Sequence, residues 1–186
     1  CVNAAYVHRF YCYDKTKDEG TVHANNKGLN GTERCYAGGI IGEQRSSVTG
    51  SLIQKCMNLG DVYDENSSNA GGVVGRWNIN GGSISDCSNF SSLYTNYGIY
   101  DMTKSNGSGS GGIIADIYGD SADPNANYSI DHCSNHGNIL SIHQNDGFIS
   151  ECAQFAGGII GTVIGDSNLK NYDTNVSITD CLNGSD

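Results

Sequence analysis

The phrase Ala37-Gly38-Gly39-Ile40-Ile41-Gly42 recurs through this chain with small changes. The three further copies are Ala70-Gly71-Gly72-Val73-Val74-Gly75, Ser110-Gly111-Gly112-Ile113-Ile114-Ala115 and Ala156-Gly157-Gly158-Ile159-Ile160-Gly161. After each copy comes a second phrase, Ile-x-x-Cys-x-Asn, and the chain itself begins on the end of that phrase, Cys1-Val2-Asn3. A unit that recurs in this way, and that is too small to bury its own apolar face, predicts stacked repeats.

The apolar runs indicate strands. They are short, rich in β-branched residues and bounded by Gly, Asn, Asp or Ser, and no window keeps the spacing of an amphipathic helix. We predict an all-β parallel β-helix (β-solenoid) of about four coils with loop insertions. In each repeat we expect a short strand, a Gly/Asn/Ser turn and a second strand.

The repeat pattern predicts one β-solenoid domain over residues 1–186, as a fragment of a longer chain. Its predicted parts are a partial coil at 1–7, an insertion at 8–34, and repeats at 36–64, 69–95, 110–140 and 155–186.

Stacking of like on like follows from parallel coils about 4.8 Å apart. The predicted ladders are Cys1, Cys56, Cys87, Cys133 and Cys181, and Asn3, Asn58, Asn89, Asn135 and Asn183. We expect the thiols to stay reduced, because parallel Cβ vectors suit a disulfide poorly. A linear column does not converge as a tetrahedral zinc site requires, so no metal site is predicted. The repeated glycines serve either tight turns or close backbone approach.

Three cysteines lie outside this column: Cys12, Cys35 and Cys152. Cys12 and Cys35 bracket the polar insertion, and this position alone suggests a disulfide between them. Closing that loop contributes about 3 kcal/mol in the loop-entropy account.

Charge excludes two classes of partner. The formal net charge is −10 and only 16% of residues are charged. A basic surface for nucleic acid or for anionic lipid is therefore not expected. No apolar run reaches the roughly 18 residues that a membrane span needs, so no direct membrane insertion is predicted.

Three groups of polar residues could bind metal, one with two histidines and two with acidic residues. His132 and His136 would share one face of a strand, with Asp131 pointing away, so exposed strand residues are favoured over a metal site. The acidic turns contain Asp116, Asp120 and Asp123 in one group and Asp61, Asp64 and Glu65 in the other. Both lack a calcium-loop spacing, which favours solvated turn carboxylates.

Aromatic residues are the candidates for ligand contact. Trp77, Tyr94, Tyr97 and Tyr100 could stack on sugar rings or anchor a protein partner. The alternative is that they cover the flank of the coil or cap a loop. The long loops at 8–34, 96–109 and 141–154 are the other expected contact regions.

No catalytic residue is predicted. The His-Glu-x-x-His helix and the Gly-x-Ser-x-Gly elbow are both absent from the sequence. No cofactor is expected.

The two phrases together resemble the GLUG-type repeats of bacterial surface proteins over most of residues 36–183. Such repeats occur in Gram-positive adhesins and in the non-catalytic part of IgA-cleaving metalloproteases. The resemblance implies a right-handed β-solenoid on a bacterial cell surface. This chain differs from the usual pattern in its aligned cysteines and long insertions.

These observations predict a non-catalytic structural or adhesive segment of a secreted or cell-surface bacterial protein. Its expected partners are neighbouring repeats of the same chain and a surface protein or glycan of a host or neighbouring cell. The alternatives are an accessory domain of a secreted protease or glycan-active enzyme, and a carbohydrate-binding module.

Overall fold

A computed structural model describes residues 1–3, 24–25, 35–65, 68–97, 108–118, 126–143, 154–164 and 175–184. These residues form strands and no helix. The described part therefore contains no helix long and apolar enough to cross a membrane. The strands are β1 Val2–Asn3, β2 Ala24–Asn25, β3 Cys35–Gly38, β4 Ile41–Gln54, β5 Met57–Asn58, β6 Val62–Glu65, β7 Ser68–Gly71, β8 Val74–Ser85, β9 Ser88–Asn89, β10 Leu93–Tyr97, β11 Ser108–Gly111, β12 Ile114–Tyr118, β13 Asn127–Asp131, β14 Ser134–Asn135, β15 Ile139–His143, β16 Gln154–Gly157, β17 Ile160–Ile164, β18 Asn175–Thr179 and β19 Leu182–Asn183.

The strands form four sheets, and every pairing among the described strands is parallel. Sheet I has the order β1-β5-β9-β14-β19, sheet II β2-β6-β10-β15 and sheet III β3-β7-β11-β16. Sheet IV has the order β17-β12-β8-β13-β18, and β4 pairs with β8. Within each sheet, strands of successive repeats are neighbours. The predicted all-β class with parallel pairing is confirmed.

The registers align equivalent positions of the repeats. In sheet IV, Val74 lies opposite Ile41 on one side and Ile114 on the other. In sheet I, Asn89 lies opposite both Asn58 and Asn135. Because side chains alternate between the two faces of a strand, this register sends equivalent residues of each repeat to the same face.

The strands of the first two repeats are longer than the sequence predicts. β4 has 14 residues and β8 has 12, and they continue through the stretches where a turn was expected. The predicted pair of short strands is therefore wrong for these two repeats. β8 pairs with β4 on one side, while β12 and β13 pair with its two halves on the other side. A register shift between Ser46 and Thr49 absorbs the difference in length between β4 and β8.

A left-handed corner precedes each repeat cysteine from Cys56 onwards. These corner residues are Lys55, Asp86, His132 and Asp180, with φ angles of 55°, 52°, 48° and 49°. The corner ends the long run of sheet IV and starts the two-residue strand of sheet I. Non-glycine residues in this region are uncommon, so its recurrence is a property of the repeat.

Two apolar clusters form the interior of the part of the chain that the structure describes. The larger contains the stacked isoleucines Ile53, Ile84 and Ile130 together with Trp77 and Tyr128. The smaller lies between sheets II and III and contains Ala37, Ala70, Val62 and Leu93. Burial of each large aliphatic side chain contributes about 1.5–3 kcal/mol of transfer free energy.

A glycine–asparagine contact joins the two sequence phrases within each repeat. A Cβ on Gly72 would lie 2.4 Å from Cγ of Asn89, and a Cβ on Gly112 would lie 2.4 Å from Cγ of Asn135. Close approach, rather than a turn with positive φ, is therefore what these glycines provide. This contact explains why both phrases recur together.

The asparagine amides also bond to one another between repeats. Asn58 Nδ2 donates to Asn89 Oδ1 over 2.9 Å, and Asn89 Nδ2 donates to Asn135 Oδ1 over 2.8 Å. Asn135 Nδ2 continues the row to Asn183 Oδ1 over 2.8 Å. Asn58, Asn89 and Asn135 are buried, and the row satisfies amides that burial would otherwise leave unpaired.

Candidate functional site

Trp77 is a core residue. Its side chain is 0% exposed, and its ring packs edge-on against Tyr128 with the centroids 5.3 Å apart. Stacking on a sugar needs an open ring face. The prediction that Trp77 contacts a ligand is therefore wrong, because both faces of β8 are covered and every residue from 74 to 81 is buried.

Tyr94 lies on the outer side of sheet II and is half-buried. Its ring faces that of Tyr63 at 5.1 Å with an interplanar angle of 30°. The two tyrosines are register partners on β10 and β6, and Leu140 is the next residue of the same row. Tyr63 was not singled out by the sequence analysis, although it occupies the same repeat position as Tyr94.

A second ring pair lies immediately after the strands of sheet I. Phe90 and His136 stack with centroids 4.6 Å apart and an interplanar angle of 4°. Phe90 remains 47% exposed. Both residues directly follow the repeat asparagine, and this shared position is the sequence signal that could have found the pair. Tyr63, Phe90, Tyr94 and His136 are called the aromatic face below.

A cleft adjoins the aromatic face at His136. Its volume is about 340 Å³, and it is lined mainly by Asn135–Ile139, Ala156–Gly158, Asn183 and Gly184. β15, which begins in this lining, is an edge strand of sheet II among the described residues. Backbone groups, side-chain amides and a ring therefore meet at one opening, a combination suited to hydroxyl-rich ligands.

His132 sits at a corner rather than within a strand. Its Nδ1 lies 2.9 Å from Oδ2 of Asp131, and its Nε2 lies 3.8 Å from Oδ2 of Asp180 in the next repeat. The prediction that Asp131 points away from His132 is wrong, because the corner ends the strand alternation on which it depended. All three side chains are partly or well exposed, as expected for His132.

The carboxylates around His132 favour its protonated form. The hydrogen bond and the charge of Asp131 raise the pKa of His132 above the usual 6.5, and the charges of Asp180 and Asp86 act in the same direction. The three groups thus form a surface ion cluster that joins the third and fourth repeats. Among the described residues, Asp131, His132 and Asp180 form the only group of three or more His, Cys, Asp or Glu side chains whose potential ligand atoms all lie within 4.8 Å of one another.

Asp116 is buried in β12, so the prediction of a solvated turn carboxylate is wrong for this residue. Its Oδ2 lies 3.4 Å from Nε of Arg76. Asn69 Nδ2 donates to the same oxygen over 3.4 Å, and Thr162 Oγ1 donates to Oδ1 over 3.3 Å. Asp116 therefore has a charged partner and polar donors from both flanking repeats.

The guanidinium of Arg76 is held between two rings. Its central carbon lies 4.8 Å from the ring centroid of Tyr36 and 4.3 Å from that of Tyr118. The Nη1 group of Arg76 donates a hydrogen bond to the Tyr36 hydroxyl. Glu43, Arg76 and Asp116 are successive partners in the register of sheet IV. This arrangement is a structural ion pair enclosed by aromatic rings.

The other predicted acidic residues differ in exposure. Asp64 is buried in β6, so the solvated prediction is also wrong for it. Asp61 is half-buried and accepts a hydrogen bond from the Ser92 N–H over 2.8 Å.

The repeat cysteines occupy consecutive layers of the fold. Cys56, Cys87 and Cys133 are buried, Cys181 is half-buried and Cys1 is exposed, and all five are free thiols. From Cys56 onwards, each thiol donates to the carbonyl oxygen two residues earlier, as Cys87 does to Ser85 over 3.2 Å. Interaction with the Cys87 thiol, together with burial, raises the pKa of Cys133.

Several predicted residues lie outside the part of the chain that the structure describes. They are Cys12, Cys152, Tyr100, Asp120 and Asp123 in full, and the side chains of Asn3, Cys35, Glu65 and Tyr97. The proposed disulfide between Cys12 and Cys35 and most of the predicted contact loops fall in this group.

No family model, no curated protein and no solved structure matches this chain.

Proposed function

We propose that this protein is a β-solenoid of about four right-handed coils that serves as a non-catalytic adhesive segment of a secreted or cell-surface bacterial protein. Parallel sheets whose strand order follows the repeats support the solenoid. The resemblance of its two phrases to GLUG-type repeats supports the extracellular location.

The observation that carries the adhesive role is the aromatic face. Each of its two ring pairs joins neighbouring repeats, and Phe90 is a large apolar side chain left half open to solvent. Exposed aromatic rings beside polar groups are suited to the apolar faces of sugars and to protein partners.

Carbohydrate binding is the second candidate function, and the cleft beside His136 favours it. Asn138 and Asn183 offer amide donors and acceptors at this opening, while His136 supplies a ring already aligned by Phe90. Hydroxyl-rich ligands need both kinds of contact.

A glycan array and a cell-binding assay with the 186-residue protein test both candidates. We expect Tyr94→Ala and Phe90→Ala each to weaken binding about tenfold, which corresponds to about 1.4 kcal/mol. Leu52→Ala is the matched control, since Leu52 is an exposed apolar residue of β4 that is not part of the aromatic face.

Unchanged binding in both aromatic variants would remove the aromatic face as the contact surface. Absence of any binding to glycans and to cells would remove the adhesive role.

A further inference from the structure

The segments that lead into sheet II share a three-residue pattern of a small, a polar and an aliphatic residue. They are Gly60-Asp61-Val62, Ser91-Ser92-Leu93 and Gly137-Asn138-Ile139. Leu93 lies opposite Val62 on one side and opposite Ile139 on the other. The three segments therefore form one row, in which each segment is covered by the one from the next repeat.

Burial falls at the last member of this row. Val62 is 0% exposed and Leu93 is 1% exposed, whereas Ile139 is only partly buried against the smaller apolar cluster. In sheet III, Ala70 is buried, whereas Ala156 at the equivalent position is exposed. Ile139 and Ala156 both line the 340 Å³ cleft. The cleft thus exposes apolar positions that the next segment covers in the earlier repeats.

The backbone of β15 is open at the same place. The Val62 N–H donates to the Ser92 carbonyl over 3.0 Å, and the Leu93 N–H donates to the Asn138 carbonyl over 2.8 Å. The corresponding group on β15 is the Ile139 N–H, and β15 is the last strand of sheet II among the described residues. Such an edge pairs with an added strand through main-chain hydrogen bonds.

Close approach between segments limits what can enter. A Cβ on Gly137 would lie 1.8 Å from the carbonyl oxygen of Ser91. Ser91 itself fits against Gly60 by donating its hydroxyl to the Gly60 carbonyl over 2.8 Å. A segment that packs on Gly137 in the same way therefore needs Gly or Ser at this position.

We propose that the cleft binds an extended peptide of another polypeptide chain, which adds a strand parallel to β15. The peptide has the pattern Gly or Ser, then a polar residue, then an aliphatic residue. Its aliphatic side chain packs against Ile139 and Ala156, and its backbone accepts the Ile139 N–H. This contact continues the row of interfaces between repeats, and it does not depend on the adhesive role of the aromatic face.

Fluorescence anisotropy with a labelled peptide of the sequence of residues 89–97 and the 186-residue protein tests the proposal. We expect saturable binding, and binding weaker by about tenfold or more in Ile139→Asp, because the new charge faces the incoming aliphatic side chain. Leu52→Asp is the matched control, since Leu52 is an exposed residue of β4 in sheet IV.

Two altered peptides test the added strand without any change to the protein. In a parallel ladder, the peptide leucine opposite Ile139 turns its own N–H away from β15, and the tyrosine after it donates to the Ile139 carbonyl. N-methylation of that tyrosine should weaken binding about tenfold, the effect of losing one hydrogen bond. N-methylation of the leucine should leave binding unchanged. In the complex, hydrogen exchange should slow in β15 and stay unchanged in β4.

Absence of peptide binding, equal binding to Ile139→Asp, equal effects of the two N-methylations, or slower exchange outside β15 alone would each overturn the proposal. If the peptide does not bind, a glycan that protects the cleft from exchange would assign it to carbohydrate. A concentration-dependent dimer in sedimentation, lost in Ile139→Asp, would assign it instead to a second copy of this chain.

Discussion

At the residue scale, one glycine and one asparagine of each repeat make the contacts that hold the repeats together. The second glycine of each Gly-Gly pair touches the asparagine of the second phrase, and that asparagine bonds to its counterparts in the neighbouring repeats. One small residue and one amide thus link contacts within a repeat to contacts between repeats. Substitutions at these positions should therefore act on more than one layer.

Gly72→Ala should destabilise the protein by about 3 kcal/mol, the upper end of overpacking costs. Its new Cβ would lie 2.0 Å from the carbonyl oxygen of Gly112 as well as against Asn89. Chemical denaturation measures the change. Gly184→Ala is the control, since nothing lies within 4 Å of a Cβ there, and equal stability losses in the two variants would contradict the assignment.

His132 should make stability depend on pH. Asp131 raises the pKa of the folded imidazole above 6.5, so the protonated form stabilises the folded state. That contribution is fully present below about pH 6.5, the unfolded pKa, and is lost as the pH rises through the folded pKa.

NMR titration of the imidazole, together with melting temperatures across this pH range, checks the prediction. In Asp131→Asn, the pKa of His132 should fall back toward its usual value and the pH dependence of melting should weaken. An unchanged pKa in that variant would show that Asp131 is not the cause.

At the element scale, the long strands of sheet IV determine which polar groups can be buried. β8 supplies Arg76 and β12 supplies Asp116 at registered positions, so the ion pair crosses one strand interface. Sheet III closes over it with Tyr36 and Asn69. The charges are tolerated because neighbouring strands provide both a counter-charge and hydrogen-bond donors.

Asp116→Asn should cost about 3–5 kcal/mol, because it leaves the Arg76 charge buried without its counter-ion. Thermal and chemical unfolding measure the loss. The double variant Arg76→Met/Asp116→Asn should recover part of it, since no uncompensated charge then remains. A double variant less stable than Asp116→Asn alone would indicate that the rings around Arg76 matter more than the ion pair.

At the scale of the whole molecule, protection from solvent differs between the repeats. Ile130 in β13 is 0% exposed, whereas its register partner Ile178 in β18 is 53% exposed. β13 lies between β8 and β18, while β18 has β13 as its neighbour among the described strands. Repeats that contact only adjacent repeats are stabilised from both sides when they lie in the interior of the stack.

Hydrogen exchange followed by mass spectrometry should therefore show slower exchange in β8 and β13 than in β18. Local opening costs more free energy where apolar burial is greater and both edges are paired. Peptides that cover the three strands can be compared within one sample. Equal exchange rates across them would contradict repeat-wise stability and indicate a single cooperative unit.

The sequence alone determined the all-β class and the parallel pairing, because short β-branched runs bounded by turn residues recur in one order. Tertiary structure decided which side chains are available for function. Trp77 was a candidate ligand contact and is core, while Phe90 and His136 were brought together from positions that are far apart in the chain. Local patterns specify strands and their alternation, but long strands and left-handed corners shift that alternation. Contacts between repeats depend on register, which only the assembled sheets determine.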